Sequence, residues 1–310
     1  MEGAEQELTR RVRYGSGRGA RPSPVTTKAR LIGVSISRRQ VTAALTALPL
    51  AVAAPPAATA AGSGGRAPRS PGTVHIAGDS TAADKYASAA PETGWGMALP
   101  FLLRKGIAVA NHAVNGRSSK SFIDEGRLDA ILGVIRPGDL LLVQFGHNDE
   151  KSDDPGRYTE PWSTYQDCLR RYVKGARDAG ARPVLLTSVE RRRFDAAGDA
   201  VATHGEYPAA MRALAADERV PLLDIQAASL ALWQRLGAEG TKPYFHWLLP
   251  GESPNYPDGV SDNTHFHPPG AVAAARLVAR ALRDERVLAP GDTRRLDQEI
   301  PTSWLSWLDD

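Results

Sequence analysis

The run Asp139-Leu140-Leu141-Leu142-Val143-Gln144-Phe145 constrains the fold more than any other segment of the chain. Successive side chains of a strand point to opposite faces, so an unbroken apolar run needs cover on both sides. That is the signature of a central strand in a parallel sheet. Four further short runs fit strands: Thr73–Ala77, Ile107–Val114, Pro183–Val189 and Val220–Ile225. Helical spacing of apolar residues fills intervals between and after them, notably Trp162–Asp178, Tyr207–Asp217 and Ala271–Arg283. Strands alternating with helices imply βαβ crossovers. The expected fold is therefore α/β, a three-layer domain around a five-stranded parallel sheet.

Open sheets of this kind bind ligands beyond the carboxyl ends of their strands. Three strings fall there: Gly78-Asp79-Ser80, Asn115-Gly116-Arg117 and Phe145-Gly146-His147-Asn148-Asp149. Ser80 stands on a turn that the pattern expects to lead into a helix, an exposed position suited to a nucleophile. A glycine after a strand lets the backbone approach a substrate, so the Gly116 N–H can serve a developing oxyanion. Asn148 adds a side-chain amide donor. A fourth string, Asp262-Asn263-Thr264-His265, precedes the last helix and is expected in a loop. Its spacing of three lets a carboxylate orient an imidazole toward a serine. Each string alone also fits ordinary turn or capping chemistry. Asp262, His265 and His267 would additionally suit a zinc ion, but no cysteine or third histidine lies near them.

Together the strings resemble those of the SGNH (GDSL-type) hydrolases, matched as Ser80, Gly116, Asn148 and His265, with Asp262 three residues before the histidine. The longer strings Gly78–Ala82, Gly94-Trp95-Gly96, Asn115–Ser119, Gln144–Asp149 and Asp262–Phe266 are similar to the rhamnogalacturonan acetylesterase branch, carbohydrate esterase family 12. The resemblance runs from about residue 73 to 283. It implies a flavodoxin-like fold and hydrolysis of acetyl esters on pectic polysaccharide. It further implies Ser80 as nucleophile, His265 as base and Asp262 as its orienting acid. The oxyanion hole would be the N–H groups of Ser80 and Gly116 and the side chain of Asn148. Neither metal nor cofactor is expected. Trp95, Arg117, His147 and Tyr256 fall near the motifs and are expected to contact substrate, an acetylated polysaccharide or oligosaccharide. Acetyl-xylan and other acetyl esters fit the same chemistry, as does carbohydrate binding without catalysis.

The remainder of the chain sets the context. Ser37-Arg38-Arg39-Gln40-Val41, a modest apolar run to Val52 and the small residues Ala57–Ala61 have the order of a twin-arginine export signal. The apolar run is too short to anchor the chain stably in a bilayer. Residues 1–61 are accordingly expected as an extension and signal, 62–71 as a linker, 72–289 as the hydrolase domain and 290–310 as a tail. The product would be secreted. Net charge is +3 over 310 residues, much of it from basic residues of the leader, which gives no reason to expect nucleic-acid binding. The single cysteine, Cys168, excludes an internal disulfide and sits at helical spacing as a packing residue.

Overall fold

The computed structural model describes residues 70–310, so the expected export signal and most of the linker lie outside the described residues. Five parallel strands form the main sheet: β1 (Thr73–Gly78), β2 (Ala108–Asn111), β3 (Leu140–Gln144), β4 (Arg182–Leu186) and β5 (Leu222–Leu223). Their spatial order is β2-β1-β3-β4-β5, the flavodoxin-like order. The chain winds outward from β1 to β2, then returns to place β3 on the other side of β1. The strand that leads to Ser80 is thus flanked by the two strands that lead to the other motif loops.

The fully apolar run is the central strand, and all five residues of β3 are buried. Leu140 and Leu142 join one core cluster, with Trp95, Trp233, Val278 and Leu282. Leu141 and Val143 join the other, with Phe122, Leu169, Tyr172 and Leu214. The first face is covered by α1 (Trp95–Ala98), α6 (Ile225–Gly240, interrupted at Gly237) and α7 (Pro268–Asp284). The second is covered by α2 (Ser119–Asp124), α3 (Arg127–Leu132), α4 (Gln166–Asp178) and α5 (Tyr207–Glu218). Cys168, on α4, is half-buried against that second core.

Three local expectations need correction. The Ser80 turn does not enter a helix. Ala82 N–H and Ala83 N–H both donate to Asp79 O at 3.1 Å, closing a single turn, and the next α-helix begins at Trp95, after a short 3-10 turn at Ala87–Ala89. The Asp262/His265 pair lies on a strand rather than in a loop. β7 (Val260–Phe266) pairs antiparallel with β6 (Phe245–Leu248) in a separate two-stranded sheet. Residues 290–310 are not a detached tail, because Leu296, Ile300 and Leu305 are buried in the first core. Thr293 bridges Leu103, and Leu308 bridges Tyr86.

Candidate active site

The site is assembled from loops that β1, β2 and β3 present at one edge of the sheet, together with the hairpin β6–β7. Between two ladder pairs of that hairpin, Phe245↔Phe266 and Trp247↔Ser261, two steps along β6 face five along β7. The excess residues, Asp262–His265, bulge out of the ladder. Asp262 closes the bulge on itself: its Oδ1 accepts the N–H groups of Thr264 (2.6 Å) and His265 (3.0 Å). Phe245 and Phe266, both fully buried, anchor the hairpin in the core. Thr93 N–H donates to Phe266 O at 2.9 Å, and Arg192 N–H to Asn263 O at 2.8 Å. Pro268, the first residue of α7, ends the strand, since a proline at a helix start loses no hydrogen bond.

This scaffold places His265 beside Ser80. Its Nε2 lies 2.8 Å from Ser80 Oγ and its Nδ1 lies 2.7 Å from Asp262 Oδ2. With Nδ1–H donated to the carboxylate, Nε2 is left free to accept the serine proton. Burial would raise the Asp262 carboxyl, but the hydrogen bonds and charge of His265 and the Thr264 N–H hold it well below the usual carboxylate range. The His265 ring is therefore backed by a fixed negative charge.

The donors for an oxyanion come from the neighbouring loops. Gly116 adopts φ +77°, a left-handed conformation that favours glycine, and its loop runs directly into α2. Ser118 caps that helix by accepting Ser121 N–H at 3.1 Å. Asn148 Nδ2 donates to Arg117 O at 3.0 Å, which couples the β3 loop to the Gly116 loop. The adjacent Asp149 reinforces the coupling. Its carboxyl accepts the N–H and hydroxyl of Ser119 and the hydroxyl of Thr159. Burial pushes that carboxyl up to about 7 against the pull of these donors.

Beneath the nucleophile runs a buried chain of side chains. Trp95 Nε1 donates to Gln144 Oε1 (2.6 Å), Gln144 Nε2 to Thr81 Oγ1 (3.1 Å) and Thr81 Oγ1 to Asp79 Oδ1 (2.7 Å). Asp79 Oδ2 lies 3.2 Å from His147 Nδ1. Burial drives the His147 imidazole down to about 4, so at neutral pH it donates Nδ1–H as a neutral ring. Asp79 stays ionised: burial would raise it, but His147 and Thr81 hold it low.

These contacts sort the expected substrate-binding residues. The Trp95 indole donates to Gln144 and the His147 ring faces Asp79, so these contacts of both lie in the buried network next to Ser80. Arg117 is turned to Glu125, at 3.1 Å from both carboxylate oxygens. The Tyr256 ring packs edge-on against His246, with its hydroxyl donated to Ala89 O. His267 serves as the residue before α7, and no three metal-ligating side chains cluster among the described residues. Sequence reasoning missed Lys85, buried against Ser80 O (2.7 Å) and Asn115 Oδ1 (2.8 Å). A lone lysine in a turn carries no sequence signal of burial.

A serine, a histidine and an aspartate in hydrogen-bonded series are the constellation of a serine hydrolase, and the relatives of this chain make it a carboxylic ester hydrolase. The chain belongs to the GDSL-like lipase/acylhydrolase family, whose model matches residues 76–275, and within it to the rhamnogalacturonan acetylesterase branch. It is 47% identical to rhamnogalacturonan acetylesterase RhgT of Bacillus subtilis over 70% of this chain and 91% of that protein. It is 41% identical to the probable rhamnogalacturonan acetylesterase YesY of the same organism, over 68% and 92% respectively. The crystal structure of B. subtilis YxiM superposes with a TM-score of 0.59 at 27% identity, covering 70% of this chain and 57% of that one.

Proposed function

We propose that this hydrolase removes O-acetyl groups from plant cell-wall polysaccharide, rhamnogalacturonan in particular, through an acetyl-enzyme on Ser80. The carrying observation is the hydrogen-bonded series Ser80–His265–Asp262 beside the Gly116 and Asn148 loops, in a chain 47% identical to RhgT. Ser80 Oγ attacks the acetyl carbonyl carbon as its proton passes to His265 Nε2. The carbonyl oxygen becomes an oxyanion held by the N–H groups of Ser80 and Gly116 and by Asn148 Nδ2. Collapse breaks the bond to the sugar oxygen, which leaves with the proton from His265. Water then attacks the acetyl-serine, gives a proton to His265, and releases acetate as Ser80 Oγ recovers that proton. No step uses a metal or cofactor.

Export through the twin-arginine pathway is the corresponding proposal for location, supported by Arg38-Arg39 and the small residues Ala57–Ala61. Lysine at both arginine positions is expected to retain the protein inside the cell. For the substrate, acetate release is measured from acetylated rhamnogalacturonan and from acetylated xylan at equal acetyl concentration. The pectic substrate is expected to be turned over faster. Faster release from xylan would overturn the substrate assignment while leaving the esterase intact.

A further inference from the structure

Lys85 is 1% exposed and stands among the largest fully buried side chains, in the company of Trp95, Trp233 and Tyr165. Its ammonium makes three short contacts: Ser80 O at 2.7 Å, Asn115 Oδ1 at 2.8 Å and Glu92 Oε1 at 2.6 Å. An ammonium carries three N–H donors and no acceptor, so every hydrogen is used. A neutral amine would turn a lone pair on one of the three acceptors. The geometry therefore selects the charged form, although burial favours the neutral one.

The three acceptors belong to three parts of the site. Ser80 is the nucleophile. Asn115 directly precedes Gly116 in the oxyanion loop. Glu92 directly precedes Thr93, whose N–H holds Phe266 O, one residue beyond His265. The C-terminal segment grips the same pair from behind. Leu308 N–H donates to Lys85 O at 2.8 Å, and Trp307 Nε1 to Glu92 O at 2.8 Å.

We propose that Lys85 is a positioning residue for ester hydrolysis, its ammonium locking the nucleophile turn, the oxyanion loop and the catalytic hairpin into one frame. The inference rests on the acyl-enzyme reading above. Its product is convergence: the Ser80 and Gly116 N–H groups point at one oxyanion position, and His265 stays aligned on Ser80. Misplacement of such groups by about 1 Å costs on the order of a hundredfold in rate. The expected signature is a loss in kcat with KM nearly unchanged, because the frame acts on the transition state rather than on substrate binding.

The test uses the full chain with p-nitrophenyl acetate. Lys85→Met, which keeps length and removes charge and donors, is expected to lower kcat about a hundredfold with KM within about twofold. Lys85→Arg is expected to recover part of the loss. Asn115→Ala cuts one of the three contacts at an exposed residue, and is expected to lower kcat by about fivefold or more with an unchanged melting temperature. A folded Lys85→Met with kcat within about threefold of the parent would overturn the proposal. So would Lys85→Arg no better than Lys85→Met. If Lys85→Met does not fold, Asn115→Ala with parental kcat overturns it. Absence of turnover in the parent would instead sink the esterase reading itself.

Discussion

Asp262→Asn tests the catalytic series at its most determined point. The aspartate spends Oδ1 on two backbone N–H groups, Thr264 at 2.6 Å and His265 at 3.0 Å, and Oδ2 on His265 Nδ1 at 2.7 Å. An asparagine must keep its oxygen toward the two N–H donors, because a flipped amide would lose both bonds and set donors against donors. Each such bond is worth about 1 kcal/mol net, and an unmade one costs more. The amide NH2 is then left facing Nδ1. His265 must answer with a lone pair there, which places its ring proton on Nε2, pointing at Ser80 Oγ. In that tautomer the base cannot accept the serine proton. The corresponding loss in serine proteases is about ten-thousandfold in kcat, or about 5 kcal/mol. Here Asp262 and His265 are each more than a quarter exposed, so water offers partial relief. The expected loss is therefore about a thousandfold to ten-thousandfold, with KM and melting temperature close to parental. Stopped assays of p-nitrophenyl acetate hydrolysis, with far-UV circular dichroism as the control for folding, measure it. A folded variant retaining more than about a tenth of parental kcat would refute the argument, since it would mean that the tautomer of His265 does not depend on Asp262.

Other perturbations follow from the same geometry. Ser80→Ala is expected to abolish acetate release and labelling by a fluorophosphonate while leaving the fold intact; residual turnover at the parental rate would remove Ser80 from the mechanism. Asn148→Ala deletes one oxyanion donor and should lower kcat by about a hundredfold to a thousandfold, read in the same aryl acetate assay. Trp95→Phe strands the buried Gln144 Oε1, and urea denaturation should register a loss of about 1–3 kcal/mol with KM unchanged; a raised KM at full stability would return Trp95 to the substrate surface. The share of stability that depends on His147 should fall on acidification from pH 7 to 5. It is read as the urea midpoint of the parent less that of His147→Gln, because Asp149, pushed up to about 7, favours the folded state in the same window. The folded pKa of His147 lies near 4 and an unfolded histidine titrates near about 6.5, so in that window the unfolded state binds more protons and gains. The His147 share of the loss grows to about 3 kcal/mol by pH 4, and a midpoint difference between the two proteins that does not move between pH 7 and 5 would contradict it.

The gathering of Ser80, Gly116 and Asn148 was legible from residue types after strands, because a parallel sheet delivers the ends of β1, β2 and β3 to one edge regardless of the details between them. What the sequence withheld was orientation. Trp95, Arg117, His147 and Tyr256 are expected at the substrate from their place near the motifs, while the contacts of Trp95, His147 and Arg117 run to Gln144, Asp79 and Glu125. Proximity to a motif fixes neither the rotamer nor the side of the backbone on which a side chain lies. The hairpin was missed for a related reason. Val260-Ser-Asp-Asn-Thr-His-Phe266 is polar at most positions, and half of its ladder is a bulge, so alternation gives no strand signal. The packed C-terminal segment escaped as well, since Leu296, Ile300 and Leu305 are too widely spaced for either periodicity.

Two aspartates stand close to Ser80 in this chain, Asp79 beside it in sequence and Asp262 across the fold, and burial decides which serves the base. Asp79 is fully buried, with one oxygen given to the Thr81 N–H and hydroxyl and the other to His147. Its hydrogen bonds run to Thr81 and His147 and not to His265. Asp262 instead keeps one oxygen for the turn and one for the imidazole, on a bulge that the hairpin holds out from its ladder. The first carboxylate therefore shapes the turn on which the nucleophile stands, through the chain from Trp95 to His147. The second sets the tautomer of the base. This division gives the adjacent aspartate of the Gly-Asp-Ser string a physical reason to be there without a proton to move: an ionised, fully hydrogen-bonded side chain fixes the Ser80 turn where no helix follows to fix it.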